Sequence, residues 1–166
     1  MKKSLVILAV LVLSLVFTQS VFTQTDNQTV TFAVDPVSKL SVSGNPGALT
    51  ITTGTAGTDA LTPVSVGGTT YSITHNSISD LKITGQIKAS EGDMPTGTTL
   101  KVNLVGASGG KSTGAQILTS GSPVDLVTGI AMGADAGKSI TYTLEANASA
   151  GVINSATRTV ILTLTN

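Results

Sequence analysis

The sequence contains no cysteine and no tryptophan, and only three phenylalanines and two tyrosines. Without cysteine there is no disulfide framework, no thiolate metal site, no thiol nucleophile and no redox chemistry. A stable fold must then rest on packing and hydrogen bonding alone. With so few rings, the chain lacks the material for an aromatic platform on which unpaired bases or sugars stack. Past residue 24 the rings are Phe32, Tyr71 and Tyr142, each within alternating apolar and polar sequence, and they read as core residues.

Charge is equally scarce. Nine basic residues balance nine acidic ones. Removing Lys2 and Lys3, which lie in the N-terminal leader, leaves seven basic residues against nine acids, a net charge of −2. No basic run remains to attract nucleic acid or an anionic membrane.

What is present begins with MKKSLVILAVLVLSLVF, a two-lysine start and then an apolar stretch from Leu5 to Phe17 interrupted by Ser14. The stretch falls short of the roughly 20 apolar residues that span a bilayer, and the polar TQSVFTQTDNQ comes after it. This is the layout of a secretory signal peptide over residues 1–24, with cleavage expected between Ser20 and Gln24. A retained N-terminal anchor is the other reading of the same residues. Residues 25–166 then form one domain that is exported to the medium or the cell surface, of a length that can enclose a proper core.

That domain is rich in Thr, Ser, Gly and Val, and its apolar residues recur at period two, which is the strand signal. TVTFAV sets Val30, Phe32 and Val34 on one face, and Pro36 then breaks the ladder before SKLSVS resumes with Leu40 and Val42. Further runs carry Leu49 and Ile51; Val64 and Val66; Tyr71 and Ile73; Leu81, Ile83 and Ile87; and Leu100, Val102 and Leu104. AQILT, PVDLV, ITYTLEA and the closing TRTVILTLTN complete the set. Turn clusters separate them: SGNPGA, TGTAGTD, VGG, EGDMPTG, GASGGKSTG, SGSP and MGADAG. The pattern predicts an all-β fold, an Ig-like antiparallel β-sandwich of about 8–10 short strands, with a closed barrel as the alternative.

Several motifs mimic chemistry without its framework. GGKST at residues 109–113 ends like a phosphate-binding loop, but only three residues separate Gly106 from Gly110 where four are required, and no helix comes after it. Gly106-Ala107-Ser108-Gly109-Gly110 spells a nucleophile elbow, yet the single histidine, His75, precedes Ser108 and the strand–turn–helix context is missing. Ser108 and Lys111 also spell S-x-x-K, without its companion motifs. His75 with Asp80 has the letters of a base and its orienting carboxylate, and reads better as a turn residue at a strand end. Glu91 and Asp93 are close enough to share a hard cation, though two acids alone favour a solvated turn. Asn27 and Asn147 head N-x-S/T patterns, whose use depends on the host. The expectation is therefore no enzyme, no cofactor and no metal.

An extended alternating segment directly after a cleavage site can pair within its own domain or complete the sheet of a neighbour. With its signal peptide, N-terminal TVTFAV, Thr/Gly-rich body and closing TRTVILTLTN, the whole exported chain resembles the Ig-like β-sandwich subunits of bacterial surface fibres, the chaperone–usher-type pilins and spore-coat-U-like proteins. It departs from them in having no disulfide near the N-terminus and in ending on Asn166 rather than near an aromatic residue. The resemblance implies a non-enzymatic filament or coat subunit that self-associates by strand pairing, with Val30, Phe32 and Val34 on the assembly strand. A monomeric secreted binding module, an adhesin or carbohydrate-binding sandwich, is the competing expectation.

Overall fold

The computed structural model describes residues 24–166, so the leader lies outside the described residues except for Gln24. The chain divides into two units at Val34 and Asp35. Of the first, residues 24–34 contain no helix or strand and are exposed throughout. The alternation there predicts a strand, and the structure has none. Alternation marks which side chains a strand would bury, but a strand exists only where a ladder partner takes up its N–H and C=O groups. Phe32, expected in the core, is 87% exposed.

The second unit, residues 35–166, is an antiparallel β-sandwich. Its strands are β1 (Ser38–Ser43), β2 (Val64–His75), β3 (Leu81–Ile87), β4 (Thr98–Leu104), β5 (Lys111–Ser112), β6 (Gln116–Ile117), β7 (Val124–Ile130), β8 (Gly133–Ala146) and β9 (Val160–Thr165). One sheet runs in the order β1-β2-β8-β4-β6 and the other β5-β7-β3-β9. Single 3₁₀ turns at Ala89–Glu91 and Ala148–Ala150 punctuate the loops.

Period two decides which side chains meet between the sheets. From the first sheet come Tyr71 and Ile73 of β2, Leu100, Val102 and Leu104 of β4, and Ile140 and Tyr142 of β8. The second contributes Leu81, Ile83 and Ile87 of β3 and Leu126, Val127 and Ile130 of β7. The intervening positions carry the polar face, where Lys101 pairs with Glu145 at 2.6 Å and Lys82 with Asp125 at 3.1 Å. Such half-exposed pairs stabilise little, about 0–1 kcal/mol. Aliphatic burial, at roughly 1.5–3 kcal/mol per side chain, carries the fold. Gly85 in β3 is one point of close approach: a Cβ there would lie 2.6 Å from Leu126 Cδ1, so the missing side chain lets β7 and β9 residues close over β3.

Two of the turn clusters read from the sequence lie inside strands. VGG falls within β2, where the register slips between Val66 and Thr69 and Gly68 takes φ 92°. That is a β-bulge, a place where glycine serves a strand rather than ends it. MGADAG supplies the start of β8. Conversely, Leu49 and Ile51 build no strand. Residues 44–62 make only the isolated bridges Gly54–Leu61 and Ala60–Asn147.

Leu126 is fully buried at the centre of the four-stranded sheet. Leu126→Ala is expected to lower the unfolding free energy by about 2–5 kcal/mol. A urea titration checks this, and a loss under about 1 kcal/mol would mean the core is far looser than its packing indicates.

Candidate functional site

Each sheet ends in strands with one unpaired edge, and the four edges differ. β5 and β6 are two residues long, too short to template another strand. β1 carries Lys39 and is preceded by Pro36, both of which discourage pairing. β9 reads VILTLT, six residues without charge, proline or glycine, and it pairs only with β3.

The ladder fixes which groups β9 leaves open. Lys88 donates its N–H to the Thr159 carbonyl at 2.8 Å, whereas Ile87 donates the other way, to Thr119, at 2.9 Å. Backbone direction alternates along an antiparallel pair. Residues 161 and 163 therefore face β3, and the N–H and C=O groups of Val160, Leu162 and Leu164 face outward. The side chains of these same three residues point toward the core yet are only half-buried. Open backbone groups and incompletely covered apolar side chains thus coincide.

Beside them lies a groove of about 630 Å³. β1 lends Val42 to its wall, the loop after β1 lends Leu49, and Leu100, Tyr142 and Leu144 form its floor; Val160 and Leu162 close the far side. The lining is more apolar than polar, and it includes Thr69, Arg158 and Thr159. It is a seam in the sandwich between the edge strands β1 and β9.

The start of β9 is held rigidly. Glu91 accepts from the Thr159 N–H and, at 2.7 Å, from the Thr159 hydroxyl. Asp93 Oδ1 accepts from the N–H of Ser120 at 2.6 Å and from its hydroxyl at 2.9 Å. Arg158 donates through Nε and Nη2 to the Asp93 carbonyl at 3.0 and 2.7 Å. Hydrogen bonds from Thr159 hold the Glu91 carboxyl below its ordinary range, and those from Ser120 do the same for Asp93. The two acids that invited a cation reading are occupied as clamps that tie the 89–93 turn to β9 and to the loop before β7. Among the described residues no group of three or more His, Asp or Glu side chains could hold a metal.

The glycine-rich loop is equally structural. A Cβ on Gly106 would collide with the Gly110 carbonyl oxygen, so glycine is required for the bend itself. Ser108 takes φ 47°, its N–H donates to Asp135 at 3.0 Å, and its carbonyl accepts from Ala131. Asp135 is in turn paired with Lys138 at 2.9 Å, and its carboxyl is held below the ordinary range first by the Ser108 N–H. Lys111 lies in β5 and is exposed. No helix follows Ser108, and the Asp135 carboxylate engages its backbone N–H and Lys138.

His75 closes β2 and is 3% exposed, with neither ring nitrogen hydrogen-bonded. It is a buried strand residue rather than the turn residue expected, and no hydrogen bond joins it to Asp80. Its period-two position behind Tyr71 and Ile73 was the available signal. Tyr71, also in this layer, donates its hydroxyl to the Val105 carbonyl, and burial pushes the phenol up to about 12.

Of the expected assembly residues, Val30, Phe32 and Val34 are all strongly exposed. The open edge of β9 and the groove beside it were not foreseen from the sequence. No family model matches the chain, and none of the curated proteins or solved structures compared with it matches either.

This geometry generates two expectations. Because His75 is buried without a partner, His75→Leu is expected to raise stability by about 1–3 kcal/mol; a destabilised variant would mean that the ring has a partner in solution. Glu91 and Asp93 have depressed folded pKa values, so their contribution is present above the ordinary carboxylate range and is lost as pH falls through the folded values. Between about pH 5 and pH 2, the Glu91→Gln/Asp93→Asn double variant should show a flatter decline of melting temperature than the parent. Parallel declines would rule the clamp out as the acid-sensitive element.

Proposed function

We propose that this chain is a non-enzymatic, secreted structural subunit of an extracellular or cell-surface filament or coat, and that its N-terminal segment joins one copy to the next by strand pairing. The observation that carries this reading is the exposure of Val30, Phe32 and Val34, at 73%, 87% and 82%, on a segment without secondary structure. Three apolar side chains at period two are costly to leave in water and have the spacing of a strand that buries one face. A sandwich with one long unguarded edge supplies the complementary need.

The leader with Lys2 and Lys3 supports export from a bacterial cell. The likeness to pilin-type and spore-coat-U-like subunits, drawn from the signal peptide, TVTFAV and TRTVILTLTN, agrees with a fibre or coat role. Self-pairing needs no cofactor and no catalytic group. A strand that leaves one molecule and enters another makes a heterologous contact, which propagates rather than closes unless the rotation forms a ring. The groove gives the competing reading its one support, since an apolar cleft of about 630 Å³ is also the size of a small-ligand site.

Residues 25–166 and a version that begins at Val37 decide between these, by light scattering after size exclusion and by electron microscopy. The longer form is expected to make ladders or fibres, and the shorter form to stay monomeric. Two stable monomers would sink the subunit reading and turn attention to a ligand for the groove. A stable monomer of the longer form beside an unfolded shorter form would make residues 25–36 an ordinary part of one domain.

A further inference from the structure

Thr69 is an inward-facing residue of β2 just past the bulge, and it is 3% exposed. Its hydroxyl has no hydrogen-bond partner, which destabilises the protein while the group stays unpaired. Thr69 also belongs to the lining of the groove. A turn of its side chain from one staggered position to another presents the hydroxyl to whatever fills that space. Tyr142 of β8 lies beside it in the same lining, two residues along from Ile140, the cross-strand partner of Thr69. Burial pushes the Tyr142 phenol up, so it stays a neutral hydroxyl able to donate.

At the other end of the groove stands the one arginine of the sequence. Arg158 donates through Nε and Nη2 to the Asp93 carbonyl and through Nη1 to the Thr157 carbonyl. It takes no part in the ion pairs of the described residues, which join Lys82 to Asp125, Lys101 to Glu145 and Lys138 to Asp135. Glu91 and Asp93 lie close enough for its charge to act on them, but they are engaged by hydrogen bonds from Thr159 and Ser120, and Lys88 acts on Glu91 as well. One N–H on each terminal nitrogen of the guanidinium is left over, and a carboxylate is the group that such N–H donors bind best.

The spacing of the two ends sets the length of a ligand. Thr69 pairs with Ile140, and Leu144, further along β8, pairs with Leu100 near the start of β4. Arg158 belongs to that second end, since Asp93, to which it is bonded, lies just before β4. At about 3.3 Å per strand residue the ends are roughly 13 Å apart, the reach of an extended chain of about ten carbon atoms. Leu49, Leu100 and Leu144 line the stretch between them. We propose that the groove binds a small amphipathic acid, with its carboxylate on Arg158, its apolar chain over these three leucines, and a terminal hydroxyl or carbonyl oxygen at Thr69 and Tyr142. One molecule supplies the whole site, so the inference goes beyond the proposed subunit role and does not rest on it.

The probe is ω-hydroxydecanoate, titrated into residues 25–166 by calorimetry and followed by methyl NMR. Decanoate and decanediol, which each lack one end group, are run alongside. Binding is expected to weaken about tenfold or more for decanediol and about threefold to tenfold for decanoate. Thr69→Val keeps the shape of the side chain and removes only an unpartnered hydroxyl, so folding is not at stake. That variant is expected to bind ω-hydroxydecanoate no better than decanoate, with decanoate binding unchanged. Arg158→Gln is expected to lose the preference for the acid over the diol. Because Arg158 also holds the 89–93 turn, the diol on the parent protein reads the same contact without disturbing it. Methyl shifts are expected at Leu49, Leu100 and Leu144. Equal binding of the three compounds, or shifts scattered away from these leucines, means unspecific apolar partition and overturns the inference. No binding in a preparation that forms fibres also overturns it and leaves the subunit reading in place. Selective binding by a protein that stays monomeric supports the site and counts against the subunit reading.

Discussion

A β-sheet that does not close on itself leaves a row of backbone N–H and C=O groups along each outer strand, and much in this molecule is arranged around four such rows. Two are shortened to β5 and β6, with the chain turning away after two residues. A third, β1, is guarded by a lysine and by the proline ahead of it. The fourth, β9, is left long and uncharged, and the core beside it is left incompletely covered. An unguarded edge next to an open apolar seam is an aggregation hazard in a monomer. In the proposed subunit it is a surface open to a neighbour's strand.

An open seam keeps its shape only if the strands that border it are held. The sandwich has no covalent staple, so rigidity has to come from packing and from local polar anchors. The start of β9 has such anchors in Glu91, Asp93 and Arg158, which bind backbone and hydroxyl groups and so fix the chain itself. Hydrogen bonds of this kind, with one partner charged, are stronger than neutral ones and do not depend on long flexible ion pairs. Asn76 works likewise at the opposite end, where its side chain accepts from the Val37 N–H at 2.7 Å and donates to the Asp35 carbonyl at 3.0 Å and so fixes the approach to β1. The carboxylates whose spacing suggested chemistry are thus employed in positioning strands.

The same holds for the glycine-rich loop. Phosphate loops and nucleophile elbows use glycine because the backbone must bend sharply toward a ligand. Here Gly106 is required because the backbone bends sharply toward its own Gly110. Equal letters arise from equal backbone demands, and only the element after the bend tells them apart: a short strand rather than a helix.

How much could be read in advance differs by level. Period-two alternation determined the all-β class, the sandwich, and most of the buried layer, because burial on one face of a pleat leaves that trace in composition: Leu100, Val102 and Leu104 against Lys101 and Asn103 are inside and outside as spaced. The missing cysteine determined that no covalent bond would help. The sequence by itself could not say that Val30, Phe32 and Val34 lack a strand partner while Leu162 and Leu164 have one, since both segments alternate equally well. Nor could it mark VGG as a bulge rather than a turn. Those outcomes depend on which strands lie side by side, a matter of long-range pairing in which each edge is used once. Only the tertiary structure decided that β2 was already flanked on both sides, that the 44–62 segment was left without a ladder, and that β9 stood at the border with its seam open.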